Sequence, residues 1–339
     1  MNRWMLILFP FSFGWCGVAV FFVVSGFCVH LSHERAGDQS WRGYVVRRAF
    51  RIIPPYFVAL LFFALVVPWP VRFGQPGELW LFLSHVLLVH NFQDATVFGI
   101  NASLWSIAVE VQLYVLYPVL LVLVRFHGWK GALWRVGGVE ALLRAAAATA
   151  FCRDDAVPAW FQFNPLFYWF SWGIGAWLAD TYRHRTLPAF TGQHSMLCAV
   201  AAVAAFFVKP LMYFSFPLFS LSSMLGLARL ISSSHEPAPK GRLRLAGGRL
   251  MARLGAVSYS FYLIHQPLIY FVAPYFVAAW GGGPRFWVRF GACLLVLPFI
   301  AVIAEGCWRL VELPSASLGK KIVARLRATE TGDLSPQLS

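Results

Sequence analysis

Glu110 stands inside a long apolar run that reads Asn101-Ala-Ser-Leu-Trp-Ser-Ile-Ala-Val-Glu-Val-Gln-Leu-Tyr-Val-Leu-Tyr-Pro118 and continues to Val124. A carboxyl in such a run costs about 2.5–3.5 kcal/mol on insertion scales. Each flanking Leu, Ile or Val returns only about 0.3–0.6 kcal/mol. A helix would put Ser106, Glu110, Tyr114 and Tyr117 on one stripe, so the polar groups gather on a face that should look into a bundle. A carboxyl held there can carry a proton or anchor hydrogen bonds. The blander reading is a polar clasp between helices.

Three more clusters have chemical potential. In Tyr44-Val-Val-Arg-Arg-Ala-Phe-Arg-Ile-Ile-Pro-Pro-Tyr56, Arg47 and Arg51 are spaced i,i+4 and Arg48 is i,i+3 to Arg51. Three guanidiniums at a membrane entrance could grip phosphates bidentately, or could simply anchor the loop in the cytoplasm. Pro54-Pro55 is expected to bend the chain into the next span. In Val257-Ser-Tyr-Ser-Phe-Tyr-Leu-Ile-His-Gln-Pro267, helical spacing places Ser258, Tyr262 and His265 on one stripe. An intramembrane His can relay protons, and it can equally be a packing group. Gly17-Val-Ala-Val-Phe-Phe-Val-Val-Ser-Gly-Phe27 offers two glycines for close helix approach and Ser25 for a bond across helices.

Other polar residues promise less. His85 and His90 are five apart, which on a helix turns them to different faces and argues against a metal pair. Glu312-Leu-Pro314 reads as a helix terminus. The six cysteines show no CxxC or metal spacing, so neither a disulfide framework nor a metal site is expected.

The elements that must position these groups are membrane helices. Of 339 residues 59% are hydrophobic and only 12% charged, where soluble domains carry about 25% charge. The mean hydropathy is +0.64. The expected fold is all-α, a polytopic bundle of about nine spans. These are 15–31, 52–70, 79–92, 104–124, 160–180, 195–208, 211–231, 256–279 and 286–310. The segment 79–92 is short enough to be re-entrant, and 138–151, with Arg144, reads as an amphipathic or interfacial helix. Residues 1–315 form the membrane domain. Residues 316–339 form a basic, polar tail, frayed from about 328 on.

The net charge of +14 lies between the apolar runs and at their ends. That distribution fits positive-inside loops on an anionic leaflet, and no basic-aromatic module points to nucleic acid. With nine spans the basic stretch 125–153 is the misfit, since it falls outside.

Four blocks in order make the chain resemble the acyltransferase 3 family of integral membrane acyltransferases. Gly17–Phe27 looks like its Phe-Phe-x-x-Ser-Gly-Phe helix. Arg47–Tyr56 looks like its Arg-Arg-x-x-Arg-Ile-x-Pro-Pro-Tyr stretch. Asn101–Pro118 looks like its Leu-Trp-Ser-x-x-x-Glu-x-x-x-Tyr-x-x-x-Pro block. Ser258–Pro267 with Glu312–Pro314 looks like its closing Tyr-Leu-x-His and Glu-x-Pro elements.

The resemblance implies transfer of an acyl group, often acetyl, from acyl-CoA to a hydroxyl. The implied acceptor is a sugar of a surface polysaccharide or glycolipid, and the setting is a bacterial inner membrane. By match, Arg47, Arg48 and Arg51 would favour the CoA phosphates. Ser25 and Glu110 would line a central cavity with Trp105, Tyr114 and Tyr262, and His265 would be a further polar site. The family pattern opens with an earlier span that bears an Arg and then a His, thought to be the catalytic base. No residue here matches that His, and Ala19 stands where the family often has Asp. Two other readings stay open: a transporter or flippase of lipid-linked sugars, and an inactive truncated relative.

Overall fold

A computed structural model describes residues 16–35, 40–66, 71, 73–151, 157–187, 192–233, 242–279 and 286–331. The opening Met1-Asn-Arg stretch, where the first-span pattern would join, lies outside them. The described chain is helical, with no strand among the described residues. In order the helices are α1 (Cys16–Arg35), α2 (Trp41–Leu65), α3 (Glu78–Val86), α4 (Leu104–Ala150) and α5 (Trp169–Arg183). They continue with α6 (Gly192–Phe206), α7 (Met212–Ser233), α8 (Arg242–Ala279), α9 (Phe286–Cys307) and α10 (Leu313–Thr331). The expected all-α membrane bundle is what forms.

Among the described residues six stretches are long and apolar enough to cross a membrane: Cys16–Arg35, Trp41–Leu65, Leu104–Ala150, Met212–Ser232, Gly248–Ala278 and Phe290–Thr329. The α5 and α6 helices have 15 residues each. At 1.5 Å per residue that is about 22 Å, short of a ~30 Å hydrocarbon core. The α3 helix has nine residues and is shorter still.

Three local departures have clear causes. The α4 stretch consists of two helical arms that meet at Gly128, whose φ 65°, ψ 170° is not helical. Only glycine tolerates that backbone cheaply. The second arm therefore absorbs both the expected loop after 124 and the expected interfacial helix. The α2 helix carries the arginines and both prolines in one 25-residue rod, so Pro54-Pro55 sits inside a helix and does not start a new one. Ser40 caps it, accepting from the Gly43 amide. Glu312 does not end the chain's last helix. A π turn, Trp308–Glu312, widens the backbone just before Pro314, and α10 continues to Thr331. Residues 316–331, read as a tail, are thus helical, and Gly319 lies directly against Phe50 of α2.

The described residues form two compact units. One gathers α1, α4 from Trp105 onward, α5, α6 and α7, around a core of Val23, Ile174, Leu178, Met224, Leu225 and Ala228. The other gathers α2, α3, α8, α9 and α10.

In the second unit a proline defect is repaired from the side. Pro267 lacks an N–H, which leaves the carbonyl of Leu263 without its helical donor. Asn101 Nδ2 donates to that carbonyl at 2.7 Å. The Asn101 Oδ1 accepts from the Ser103 amide, and Ser103 Oγ donates to Gln266 Oε1 at 2.7 Å. The loop before α4 is thereby pinned to the kinked middle of α8.

Candidate functional site

In the first unit, α1 and α5 cross at two glycines. A Cβ on Gly26 would sit 2.1 Å from the Trp172 carbonyl oxygen, and one on Gly175 would sit 2.0 Å from the Val23 carbonyl oxygen. Backbone meets backbone here, as in small-residue crossings of membrane helices. The contact brings Ser25 and Trp172 to the polar stripe of α4.

That stripe is buried throughout. Ser106, Glu110, Tyr114 and Tyr117 are at most 8% exposed. Ser25 Oγ donates to Glu110 Oε1 at 2.5 Å, and Tyr114 Oη donates to the same oxygen at 2.6 Å. Trp172 Nε1 donates to Ser25 Oγ at 3.3 Å. One carboxylate oxygen thus collects two short O–H donors, the arrangement of a charge-assisted acceptor. Two turns further, Tyr117 bonds His30 Nδ1 at 2.8 Å, and Asp180 Oδ1 lies 3.6 Å from His30 Nε2. His33 and Trp129 stand edge-on to Tyr117 and His30 respectively. Trp105, half-buried, stacks obliquely against Phe163 at 4.7 Å and Tyr168 at 5.8 Å.

Sequence reasoning missed the partners of this stripe on α5 and the histidine of α1. Trp172 and Asp180 carry no local signal. His30 was visible four residues beyond Gly26, with nothing to say that it faces Tyr117.

A second buried polar group braces the same unit. Glu140 Oε2 accepts from the amides of Phe170 and Ser171 at 3.0 and 3.3 Å, capping the start of α5. Arg144 bonds Glu140 through Nε at 3.0 Å, and reaches the carbonyls of Tyr213 at 2.5 Å and Phe167 at 2.6 Å. Its guanidinium also lies 4.4 Å over the Phe167 ring. The i,i+4 spacing of this pair was legible, but its burial was not.

The remaining candidates lie in the second unit. Arg47 is half-buried, Arg48 buried and Arg51 exposed. Arg51 is close enough to Glu312 for their charges to interact. Glu312, buried, accepts from Ser260 Oγ at 2.7 Å. This Ser260–Glu312 bond replaces the reading of Glu312 as a mere terminus. The stripe expected from Ser258 also shifts: Ser258 is exposed and bonds the Gly255 carbonyl. Its neighbours Tyr259 and Ser260 face inward, and Tyr259 donates to the Ile52 carbonyl at 3.0 Å. His265 Nδ1 lies 2.7 Å from the Tyr262 carbonyl, so it donates and leaves its lone pair on Nε2. Tyr262 is half-buried, its ring 5.3 Å from that of His265.

His85 and His90 correct a further expectation. Their rings stack at 3.9 Å with planes 6° apart, both fully buried. The helix ends at Val86, and Leu88 at φ 57° reverses the chain, so helical phase no longer governs their directions. Burial lowers both below the usual imidazole range, His85 to about 4 and His90 to about 3, where the neighbouring His85 adds to the effect. Among the described residues no group of three or more His, Cys, Asp or Glu side chains could hold a metal ion.

Residues 2–305 match the family described as "Acyltransferase domain". The chain is 27% identical to Nodulation protein 10 of Rhizobium leguminosarum bv. viciae, over 94% of its own length and 86% of that protein. It is 24% identical to Acyltransferase MdmB of Streptomyces mycarofaciens, over 97% of its length and 88% of that protein. It is also 24% identical to Peptidoglycan O-acetyltransferase OatA of Listeria monocytogenes, over 91% of its length but only 53% of that protein. No solved structure matches the chain. A family match over nearly the whole length, on a helical bundle with six span-length helices among its described residues, places this chain in the acyltransferase family as a multi-pass membrane acyltransferase.

Proposed function

We propose that the protein is an O-acyltransferase of a bacterial inner membrane, moving an acyl group, acetyl in the simplest case, from acyl-CoA to a sugar hydroxyl of a surface polysaccharide or glycolipid. The relative named as a peptidoglycan O-acetyltransferase supports a carbohydrate acceptor. The observation that carries the reading is Glu110, a carboxylate kept in a membrane helix and held by two short hydroxyl bonds. Groups this costly to bury are retained where they act.

In this reading the acceptor O–H gives its proton to a base as its oxygen bonds the thioester carbonyl carbon. Buried donors steady the oxyanion, the C–S bond breaks, and the CoA thiolate takes the proton. Glu110, fixed by Ser25 and Tyr114, orders the polar site, with Trp105 as a further lining group. His265, with its lone pair on Nε2, is a second proton-handling candidate. Arg47, Arg48 and Arg51, on successive turns of α2, suit the CoA phosphates, since guanidinium pairs with phosphate bidentately.

The test is transfer from labelled acetyl-CoA in membranes that contain the protein. Label should pass to carbohydrate with release of free CoA, and Arg48→Ala should raise the KM for the donor about tenfold or more, the loss of about 1.4 kcal/mol of phosphate binding. Sugar movement without acyl turnover would overturn the reading in favour of a transporter.

A further inference from the structure

Beside α4's second arm lies a cleft of about 640 Å³ whose lining runs from Lys130 to Arg144 and includes Trp134, Gly138, Trp177 and Phe214. The fourteen helical steps from Lys130 to Arg144 make it about 21 Å long, more than one leaflet's half of a ~30 Å hydrocarbon core. Its walls are almost wholly apolar. The two charges toward its Arg144 end, Glu140 and Arg144, already satisfy each other and nearby backbone groups. Gly138 opens its floor: a Cβ placed there meets nothing within 4 Å. Trp134 is 74% exposed on its lip. The one charge in the lining besides that pair is the exposed ammonium of Lys130, at the end nearest the Gly128 kink.

A long apolar trough with a cation at one end has the charge pattern of an anionic amphiphile. We propose that this cleft binds an anionic phospholipid of the surrounding bilayer, with one acyl chain along Gly138 and Trp177 and its phosphate on Lys130. The chain is a multi-pass membrane protein, so bilayer lipid is the partner at hand. The Lys130 contact distinguishes this site from the general annulus, because apolar walls alone do not discriminate between headgroups.

The experiment uses the full-length protein in nanodiscs containing a phosphatidylglycerol with a diazirine in its acyl chain. After irradiation, labelled peptides are mapped by mass spectrometry. Label should concentrate on peptides containing Trp134 and Trp177. It should fall about fivefold or more in Gly138→Leu, whose Cβ has open space around it, and in Lys130→Glu. The matching phosphatidylcholine probe should label the same peptides about fivefold less. Each variant's melting temperature is measured, and a Gly138→Leu protein that fails to fold is replaced by Gly138→Val. Equal labelling in wild type and variants, or equal labelling by both headgroups, would overturn the proposal.

Discussion

The crossing of α1 and α5 offers the sharpest perturbation. Adding one methyl group at Gly26 places a carbon 2.1 Å from the Trp172 carbonyl oxygen, where ordinary contact begins at 3.4 Å. The obstacle is backbone, so α1 itself must recede by about 1.3 Å at that point, the difference of those two distances. Ser25 is the adjacent residue. Carried the same distance, its 2.5 Å bond to Glu110 would open to about 3.8 Å, beyond hydrogen-bond range. Gly26→Ala should therefore cost about 1–3 kcal/mol from overpacking. The lost hydroxyl bond adds about 0.6 kcal/mol or more, given what such bonds contribute inside membranes. The internal control is Gly17→Ala on the same helix, where a Cβ meets nothing within 4 Å. There the substitution should be neutral, or stabilising by a few tenths of a kcal/mol, since alanine favours helix. Thermal unfolding in detergent, followed by intrinsic tryptophan fluorescence, and acyl-transfer rate in membranes are read together. Gly26→Ala should melt several degrees lower and lose most of its rate, while Gly17→Ala matches wild type. Equal melting temperatures and rates for the two variants would refute the reasoning from helix contact to site geometry.

Other perturbations bear on the frame around the site. Arg144→Ala leaves Glu140 buried and uncompensated, a loss of about 3–5 kcal/mol. The double variant Glu140→Gln with Arg144→Met should recover most of the melting temperature, and additive losses would contradict the pairing. Asn101→Ala removes the donor to the Leu263 carbonyl, at about 1–3 kcal/mol. The same change should cost clearly less in a Pro267→Ala background, where a backbone N–H returns, as a double-mutant cycle of melting temperatures would read. The His85–His90 stack predicts acid sensitivity. Ordinary imidazole takes its proton near 6.5, whereas in the fold these two do so only near 4 and 3. Between those values the unfolded chain binds protons that the folded chain refuses. Their contribution is therefore complete above pH 6.5 and shrinks by about 1.4 kcal/mol per histidine for each pH unit below it. Melting temperature should fall between pH 6.5 and 4, and His85→Phe should flatten that slope; an unchanged slope would count against the buried stack.

Much of the fold was legible because lipid imposes strong rules. Apolar runs had to be helices, and the four polar residues at helical spacing around Glu110 had to share a face. What the pattern could not supply is which helix answers that face. Ser25 and Glu110 are 85 positions apart, and their meeting depends on Gly26 and Gly175 interlocking, which no local period encodes. Span ends were misjudged wherever one residue changed the backbone. Gly128 breaks the helix about one turn beyond the expected end at 124 and a second arm follows at once, and the π turn before Pro314 carries a helix through an expected stop. Two prolines inside α2 did the same for the arginine stretch. Helical phase misplaced His85 and His90 because a turn at Leu88 intervenes. It misplaced Ser258 because the inward face of α8 is set by Tyr259 and Ser260, whose partners are distant in sequence.

The most direct test of the central claim, that Glu110 orders the site of acyl transfer, is the turnover of labelled acetyl-CoA by Glu110→Gln in membranes, beside Ser25→Ala and wild type at matched folded amounts. Glutamine keeps the size and one acceptor oxygen but removes the charge. Turnover should fall about 100-fold or more in Glu110→Gln, the loss of roughly 2.7 kcal/mol of transition-state stabilisation, with a smaller fall in Ser25→Ala. Undiminished turnover in Glu110→Gln would reduce the carboxylate to a clasp between helices and contradict the account.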